Sequence, residues 1–129
     1  MRILLFLLLF SLSSCSQKSP AYFQSEAKEL KLQLIETLQK IETCDDMVLK
    51  SSELQALFKD LAKLAIEARR YQIKAKVEWQ LTPDDRKLNQ ELRFELNRLY
   101  SMEGVAELME RCQMPALTEL DAFEKKVKM

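Results

Sequence analysis

The amino-acid sequence predicts an all-α fold, an antiparallel three-helix bundle with a long helical hairpin and a short C-terminal helix. The chain has 129 residues, of which one is glycine and three are proline. It is rich in Ala, Glu, Lys, Leu and Arg, a composition typical of long helices or coiled coils. Apolar residues recur at steps of three and four in successive stretches, which is the helical period. No stretch alternates in the manner of a strand.

The first helix is predicted to begin near Ser25, after a short polar tether. Its apolar stripe is formed by Ala27, Leu30, Leu34, Leu38 and Ile41. Residues 43–52 interrupt this period with two aspartates and two serines, residue types that favour turns and helix N-caps. The sequence therefore predicts that the first helix ends at Cys44 and that a turn follows it.

The second helix has the most regular stripe. Its members alternate spacings of three and four, namely Leu54, Leu57, Leu61, Leu64, Ala68, Tyr71 and Ala75. This is the heptad spacing of a coiled coil. Phe58 and Ala65 widen the stripe, which favours the face of a globular bundle over a two-stranded seam. The same spacing suits packing within one chain or between two copies, so the sequence allows either a monomer or a homo-oligomer.

The third helix is predicted to begin at Thr82-Pro83-Asp84-Asp85, because this segment combines an N-cap residue, a proline at the first helical position and acidic residues at the positive end of the helix dipole. Its stripe runs through Leu88, Leu92, Leu96, Leu99, Met102, Ala106 and Met109. Gly104 lies inside it, at a cost of about 1 kcal/mol relative to alanine. We expect Met114-Pro115 to break or kink this helix, and Leu117, Leu120, Phe123 and Val127 to form a short last helix.

The first fifteen residues have the pattern of an export signal. Arg2 gives a positive start, and residues 3–10 are unbroken apolar residues. The apolar run is shorter than the roughly 20 residues that a membrane-spanning helix needs, which favours a cleaved signal peptide. At its end, Leu12, Ser13, Ser14 and Cys15 match position by position the lipobox (aliphatic, small, small, Cys) of bacterial lipoproteins, which this segment resembles.

The resemblance covers only the leader and implies an address. It implies cleavage before Cys15, acylation of that cysteine, including palmitate, and a protein held on a membrane of the cell envelope by lipid. Ser16 favours the outer membrane over the inner one if the organism has both. The implied division is a signal peptide over 1–14, the lipidated cysteine and tether over 15–24 and the helical bundle over 25–129. An ordinary secretory signal with a chance cysteine is the alternative.

The other two cysteines are candidates for a disulfide. Cys44 and Cys112 are predicted to end the first and third helices, which places them at the same end of the bundle. Each also continues the apolar stripe of its helix, so both are predicted to point inward. Export places them where disulfides form, so we expect a Cys44–Cys112 bond. Two buried thiols acting as small hydrophobes are the alternative.

A basic stretch ends the second helix and defines a candidate interaction face. Its members are Arg69, Arg70, Lys74, Lys76 and Trp79. Basic residues beside aromatic ones suit anionic lipid headgroups or an acidic partner. A solvated face with ordinary side-chain ion pairs is the alternative.

Catalytic chemistry is hard to place on this chain. It has no histidine, the commonest metal ligand and general base near neutral pH, and Glu95 is the nearest candidate for an inward carboxylate. Lys and Arg total 20 and Asp and Glu total 20, a balance that argues against a nucleic-acid partner. We therefore expect no enzyme, catalytic residue, cofactor or metal.

The functional expectation is a non-enzymatic envelope lipoprotein anchored to membrane lipid through acylated Cys15. Its helical bundle would bind or scaffold an unidentified envelope protein, since helical surfaces suit partner grooves and helices. The alternative is a small inhibitor, immunity or exclusion lipoprotein that acts against a foreign effector or enzyme.

Overall fold

A computed structural model describes residues 19–77 and 81–128 and shows a helical bundle, which confirms the predicted all-α fold. Within these ranges it contains four helices and no strand. They are α1 (Pro20–Gln39), α2 (Cys44–Ala75), α3 (Pro83–Tyr100) and α4 (Val105–Lys128).

The starts of α2 and α3 are fixed by the same capping arrangement. The Thr43 and Thr82 side chains accept hydrogen bonds from the amides of Asp46 and Asp85, and each aspartate accepts in return from the threonine amide. The Glu42 amide and then the Thr43 amide also hold the pKa of the Asp46 carboxyl below its usual value. The capping arrangement at Thr82 confirms the predicted start of α3. The arrangement at Thr43 shows that residues 44–52 belong to α2, so Cys44 begins a helix instead of ending one.

Helix α1 begins earlier than predicted. Pro20 occupies its first turn, and the Ser19 hydroxyl accepts a hydrogen bond from the Tyr22 amide at 3.4 Å. Serine at the N-cap followed by proline is a favoured helix start. The bundle therefore includes residues that were predicted as tether.

The predicted third helix is two helices, and the break is at Gly104 instead of Met114-Pro115. Gly104 has φ of 82°, a conformation that favours glycine. Pro115 lies inside α4, which continues past it. A proline inside a helix costs about 3 kcal/mol, and burial of Cys112, Ala116 and Phe123 on either side offsets this cost.

Replacing Gly104 with alanine is expected to destabilise the protein by about 1–2 kcal/mol, because a side chain disfavours positive φ. The new Cβ would also lie 3.3 Å from the Cys44 Sγ atom, so the thiol must shift. Denaturant unfolding followed by circular dichroism measures the change. The neighbouring exposed Glu103→Ala variant is the control and should stay within about 0.5 kcal/mol of wild type. Equal midpoints for both variants would contradict the strain at Gly104.

The helix pairing differs from the predicted hairpin. Helix α2 packs mainly on α4, α1 packs on both α2 and α3, and no Cα atom of α2 lies within 8 Å of one in α3. The Cys112 thiol lies against the Ser51 carbonyl near the start of α2, and the Arg70 guanidinium lies over the Phe123 ring near the end of α4. Helices α2 and α4 therefore run parallel, and so do α1 and α3.

All four helices have one terminus at the same end of the bundle, which we call the tether end because α1 starts there. The Phe23 ring lies 5.6 Å from the Tyr71 ring, which aligns the start of α1 with the end of α2. The other end, formed by residues 40–43 and 101–104, is the turn end. The most continuous part of the core lies towards the turn end, and its buried members are Leu34, Leu38, Ile41, Met47, Leu54, Leu57, Leu99, Val105, Met109 and Cys112.

Candidate functional site, an apolar groove on helix α2

Two adjoining depressions follow helix α2 towards the tether end, and together we call them the α2 groove. They share Leu61 and Ala65. The first is about 250 Å³ and its apolar lining is Phe23, Ala27, Leu61, Leu64, Ala65, Ala68 and Leu81. The second is about 280 Å³ and lies between Phe58, Leu61, Ala62 and Ala65 of α2 and Gln113, Ala116, Leu117 and Leu120 of α4.

The groove exists because α3 and α4 pack on different helices and contact each other little. Helix α3 packs on α1 and helix α4 packs on α2, whereas α3 and α4 contact each other much less. The α2 face between them is left partly uncovered, so Leu61, a member of the heptad stripe, is only half-buried and Ala65 is exposed. Leu54, Leu57 and Leu64 of the predicted stripe are buried, whereas Ala65 and Ala75 are exposed and Ala62, which was not predicted, is buried. The sequence could not show which helix packs on which part of α2.

The rim of the groove exposes large apolar side chains. Leu117 is 48% exposed and Leu81 is 56% exposed. By contrast, Leu54, which belongs to the apolar stripe of α2 outside the groove, is completely buried. Contiguous exposed apolar surface on a soluble domain marks an interaction site more often than scattered single residues do. The α2 groove is therefore the strongest candidate binding surface among the described residues.

One polar side chain of the lining is held in place. The Tyr100 hydroxyl donates a hydrogen bond to Gln113 Oε1 at 3.1 Å. Burial, with a smaller contribution from the charge of Glu110, raises the pKa of Tyr100, so its hydroxyl stays protonated and donates at neutral pH.

Within residues 19–77 and 81–128, no cluster of three His, Cys, Asp or Glu side chains is placed to hold a metal ion.

The two described cysteines are free thiols, and the predicted disulfide is absent from the structure. Cys44 is exposed, whereas Cys112 is buried and its thiol donates to the Ser51 carbonyl at 3.4 Å. Gly104 is the neighbour of the Cys44 sulfur, and Cys112 lies eight residues further along, about 12 Å at the helical rise. Disulfides need Cα atoms within about 7 Å. The prediction placed both cysteines at one level because it missed the break at Gly104.

The basic residues of the predicted interaction face lie on the last turns of α2 and its cap. Arg69, Arg70, Lys74 and Lys76 are all exposed. The Arg70 guanidinium lies 5.4 Å from the centre of the Phe123 ring, so α4 runs beside this face. Trp79, the fifth residue of the face, and Cys15, the lipidation candidate, lie outside the described residues.

Glu95 is buried, but it belongs to a structural cluster. Its carboxylate accepts a 2.9 Å hydrogen bond from Nε of Arg98. The Nη1 and Nη2 groups of Arg98 donate to the carbonyls of Ile41 and Leu38, each at 2.9 Å. These carbonyls lie at and just after the end of α1, and a guanidinium satisfies them well because it has several donors in one plane. Sequence reasoning missed Arg98; its i,i+3 spacing from Glu95 is a signal for the ion pair but not for the contact with α1.

Comparison with protein-family models, with curated proteins and with solved structures finds no match to this chain. The functional inference therefore rests on the residues and their geometry. Among the described helices, none is both long and apolar enough to cross a membrane.

Proposed function

We propose that this chain is a non-enzymatic, lipid-anchored protein of the bacterial cell envelope that binds an amphipathic helix of an envelope protein partner. The α2 groove carries the proposal, because it is apolar, open to solvent and bordered by exposed Leu117 and Leu81. The lipobox residues that end in Cys15 support the anchor, and Ser16 favours the outer membrane. The absence of histidine from the sequence supports a binding role over catalysis.

The size and shape of the groove favour a helix over a small ligand. Pockets for small molecules usually measure about 300–1,000 Å³ and enclose most of the ligand. Both depressions here are open along α2 and would leave much of a small ligand exposed to solvent. From Phe58 to Ala68 the groove runs about 15 Å, enough for about three turns of a partner helix. Helix-in-groove binding places apolar residues of one face, spaced three and four apart, into such a surface.

Cross-linking in intact cells tests the groove. We compare wild type with Leu117→Glu, which places a charge at the rim, and with Leu49→Glu as a matched control, since Leu49 is 80% exposed and lies near the start of α2, outside the groove. Wild type and the control should give the same adduct with one envelope protein. Leu117→Glu should reduce it about tenfold, because a partner helix in the groove would bury the new carboxylate against apolar side chains.

Three outcomes would change the proposal. An adduct unaffected by Leu117→Glu would contradict the groove. Adducts between copies of this chain alone would assign the groove to a second copy. A partner captured only when foreign effectors or phage attack the cell would favour an inhibitor, immunity or exclusion lipoprotein. Circular dichroism of each variant confirms that the helices are intact.

Mass spectrometry of the same membrane extract tests the anchor. The expected mature chain begins at Cys15 and carries acyl chains on it. An unmodified Cys15 would overturn the anchor and leave the groove proposal standing.

A further inference from the structure

We infer that the tether end rests on an anionic lipid surface, which the basic ends of α2 and α4 contact. The inference does not depend on the α2 groove. It uses the proposed lipid anchor only to place a bilayer near Ser19.

The parallel pairing of α2 and α4 brings two basic segments together. Residues 69–77 contain four basic side chains and no acidic one, and residues 122–128 contain three basic side chains and one acidic one. The contact between Arg70 and Phe123 aligns these segments. Counting five residues onward from this contact, α2 and α4 end at the same level, at Ala75 and Lys128. In an antiparallel hairpin these segments would lie at opposite ends.

The turn end carries the opposite charge. Residues 40–53 contain four acidic side chains and two basic ones, and residues 101–111 contain three acidic side chains and one basic one. The bundle is therefore electrically polar along its axis although the chain has equal numbers of acidic and basic side chains. An anionic surface attracts one end and repels the other, which gives the domain a defined orientation.

Acidic residues near the tether end do not cancel this pattern. With Glu78 and Asp121, which adjoin the two basic segments in the sequence, residues 69–78 and 121–128 contain seven basic and three acidic side chains. Two helices begin and two end there, so their dipoles, about half a charge each, balance. Asp84 and Asp85 lie beside the first turns of α1, on the side of α3. Glu67 and Glu119 lie more than two turns before the ends of α2 and α4. They line a depression between these helices together with Lys63, Arg70 and Lys126.

Lipid is favoured over an acidic protein by the position and composition of this end. Ser19 starts α1 at the same level, and Cys15 precedes it by four residues, which is about 14 Å at full extension. Exposed Ile73, Val77 and Val127 lie among the basic side chains. Apolar side chains mixed with Lys and Arg suit the boundary between headgroups and acyl chains.

Vesicle binding by the chain that begins at Ser16 tests the inference without an anchor. Every buried side chain described above lies between Phe23 and Phe123, so this chain keeps the whole core. The vesicles are phosphatidylcholine alone or phosphatidylcholine mixed with phosphatidylglycerol. We expect partitioning onto the anionic vesicles only, with a steep loss as salt is added.

Charge variants assign the contact to the tether end. Each basic side chain near an anionic surface contributes roughly fivefold to partitioning. The triple variant Arg69→Gln, Lys74→Gln, Lys125→Gln should therefore bind about a hundredfold more weakly. The matched triple Lys40→Gln, Lys50→Gln, Arg111→Gln removes the same charge from positions towards the turn end and should bind within about twofold of wild type. Arg70 is kept because it packs on Phe123.

Tryptophan fluorescence gives an independent readout of orientation. Trp79 is the only tryptophan and follows Val77 by two residues, so quenching by brominated lipid in the anionic vesicles is expected. Equal binding to neutral vesicles, equal loss in both triples, or no binding to either vesicle would overturn the inference. Binding to polyglutamate but not to vesicles would assign the face to an acidic protein instead. Leu117→Glu should partition like wild type, so this test and the groove test fail independently.

Discussion

Replacing Arg98 with alanine is expected to lower the free energy of unfolding by about 2–3 kcal/mol, because a buried carboxylate and two carbonyls lose their hydrogen-bond donor. The Arg98 side chain is 34% exposed, whereas that of Glu95 is 11% exposed. Removing the guanidinium leaves the Glu95 carboxylate buried without its partner. It also removes two 2.9 Å hydrogen bonds to carbonyls at and just after the end of α1. Denaturant unfolding followed by circular dichroism measures the loss.

The Arg111–Glu107 pair is the matched control, because it is equally close at 2.7 Å but both side chains are more than 70% exposed. Arg111→Ala should cost less than about 0.5 kcal/mol. The double variant Glu95→Leu, Arg98→Met should recover much of the lost stability, since it removes the unpaired charge as well. Equal effects of Arg98→Ala and Arg111→Ala would mean that the cluster does not hold α1.

A thiol reagent is expected to modify Cys44 at least about a thousandfold faster than Cys112 in the native protein. Cys44 is exposed, whereas Cys112 is 3% exposed and its thiol donates to the Ser51 carbonyl. Burial also raises the pKa of the Cys112 thiol, so less of the reactive thiolate is present at neutral pH. Modification requires α4 to open, and global opening costs at least about 5 kcal/mol.

Peptide mapping after timed alkylation measures both rates. In denaturant the two cysteines should react at similar rates, which controls for intrinsic reactivity. The samples are prepared without reductant, so that a disulfide would survive. Protection of both cysteines until reductant is added would show a Cys44–Cys112 bond and contradict the structure.

The sequence was sufficient for the fold class and for one helix start. The apolar stripes have the helical period throughout, and Thr82-Pro83-Asp84-Asp85 is a complete local signal because cap, proline and acidic residues act within one turn. The reciprocal hydrogen bonds between Thr43 and Asp46 are a similar local signal, but these residues were predicted to form part of a longer turn. Both helix starts, at Thr43 and at Thr82, depend only on residues within one turn, so the sequence contained the information for both.

The rest depended on contacts between distant segments. Gly104 and Pro115 are both unfavourable in a helix, and the larger local cost, that of proline, points to the wrong one. The choice follows from the packing of α4 on α2, which buries residues on both sides of Pro115. The α2 groove and the role of Arg98 depend in the same way on which helices are neighbours, and one apolar stripe per helix does not specify that.

The parallel pairing of α2 with α4 also sets the order in which the chain gains stability. The contact between Ser51 and Cys112 joins residues 61 apart in the sequence, whereas consecutive antiparallel helices join residues that are much closer. Contacts of long sequence separation slow folding, because the entropy of closing the loop is lost before the contact forms. While the chain folds, helix α2 has only α1 to cover its apolar stripe until the residues after Gly104 have packed on it. That interval is when holding chaperones act and when incompletely folded chains associate.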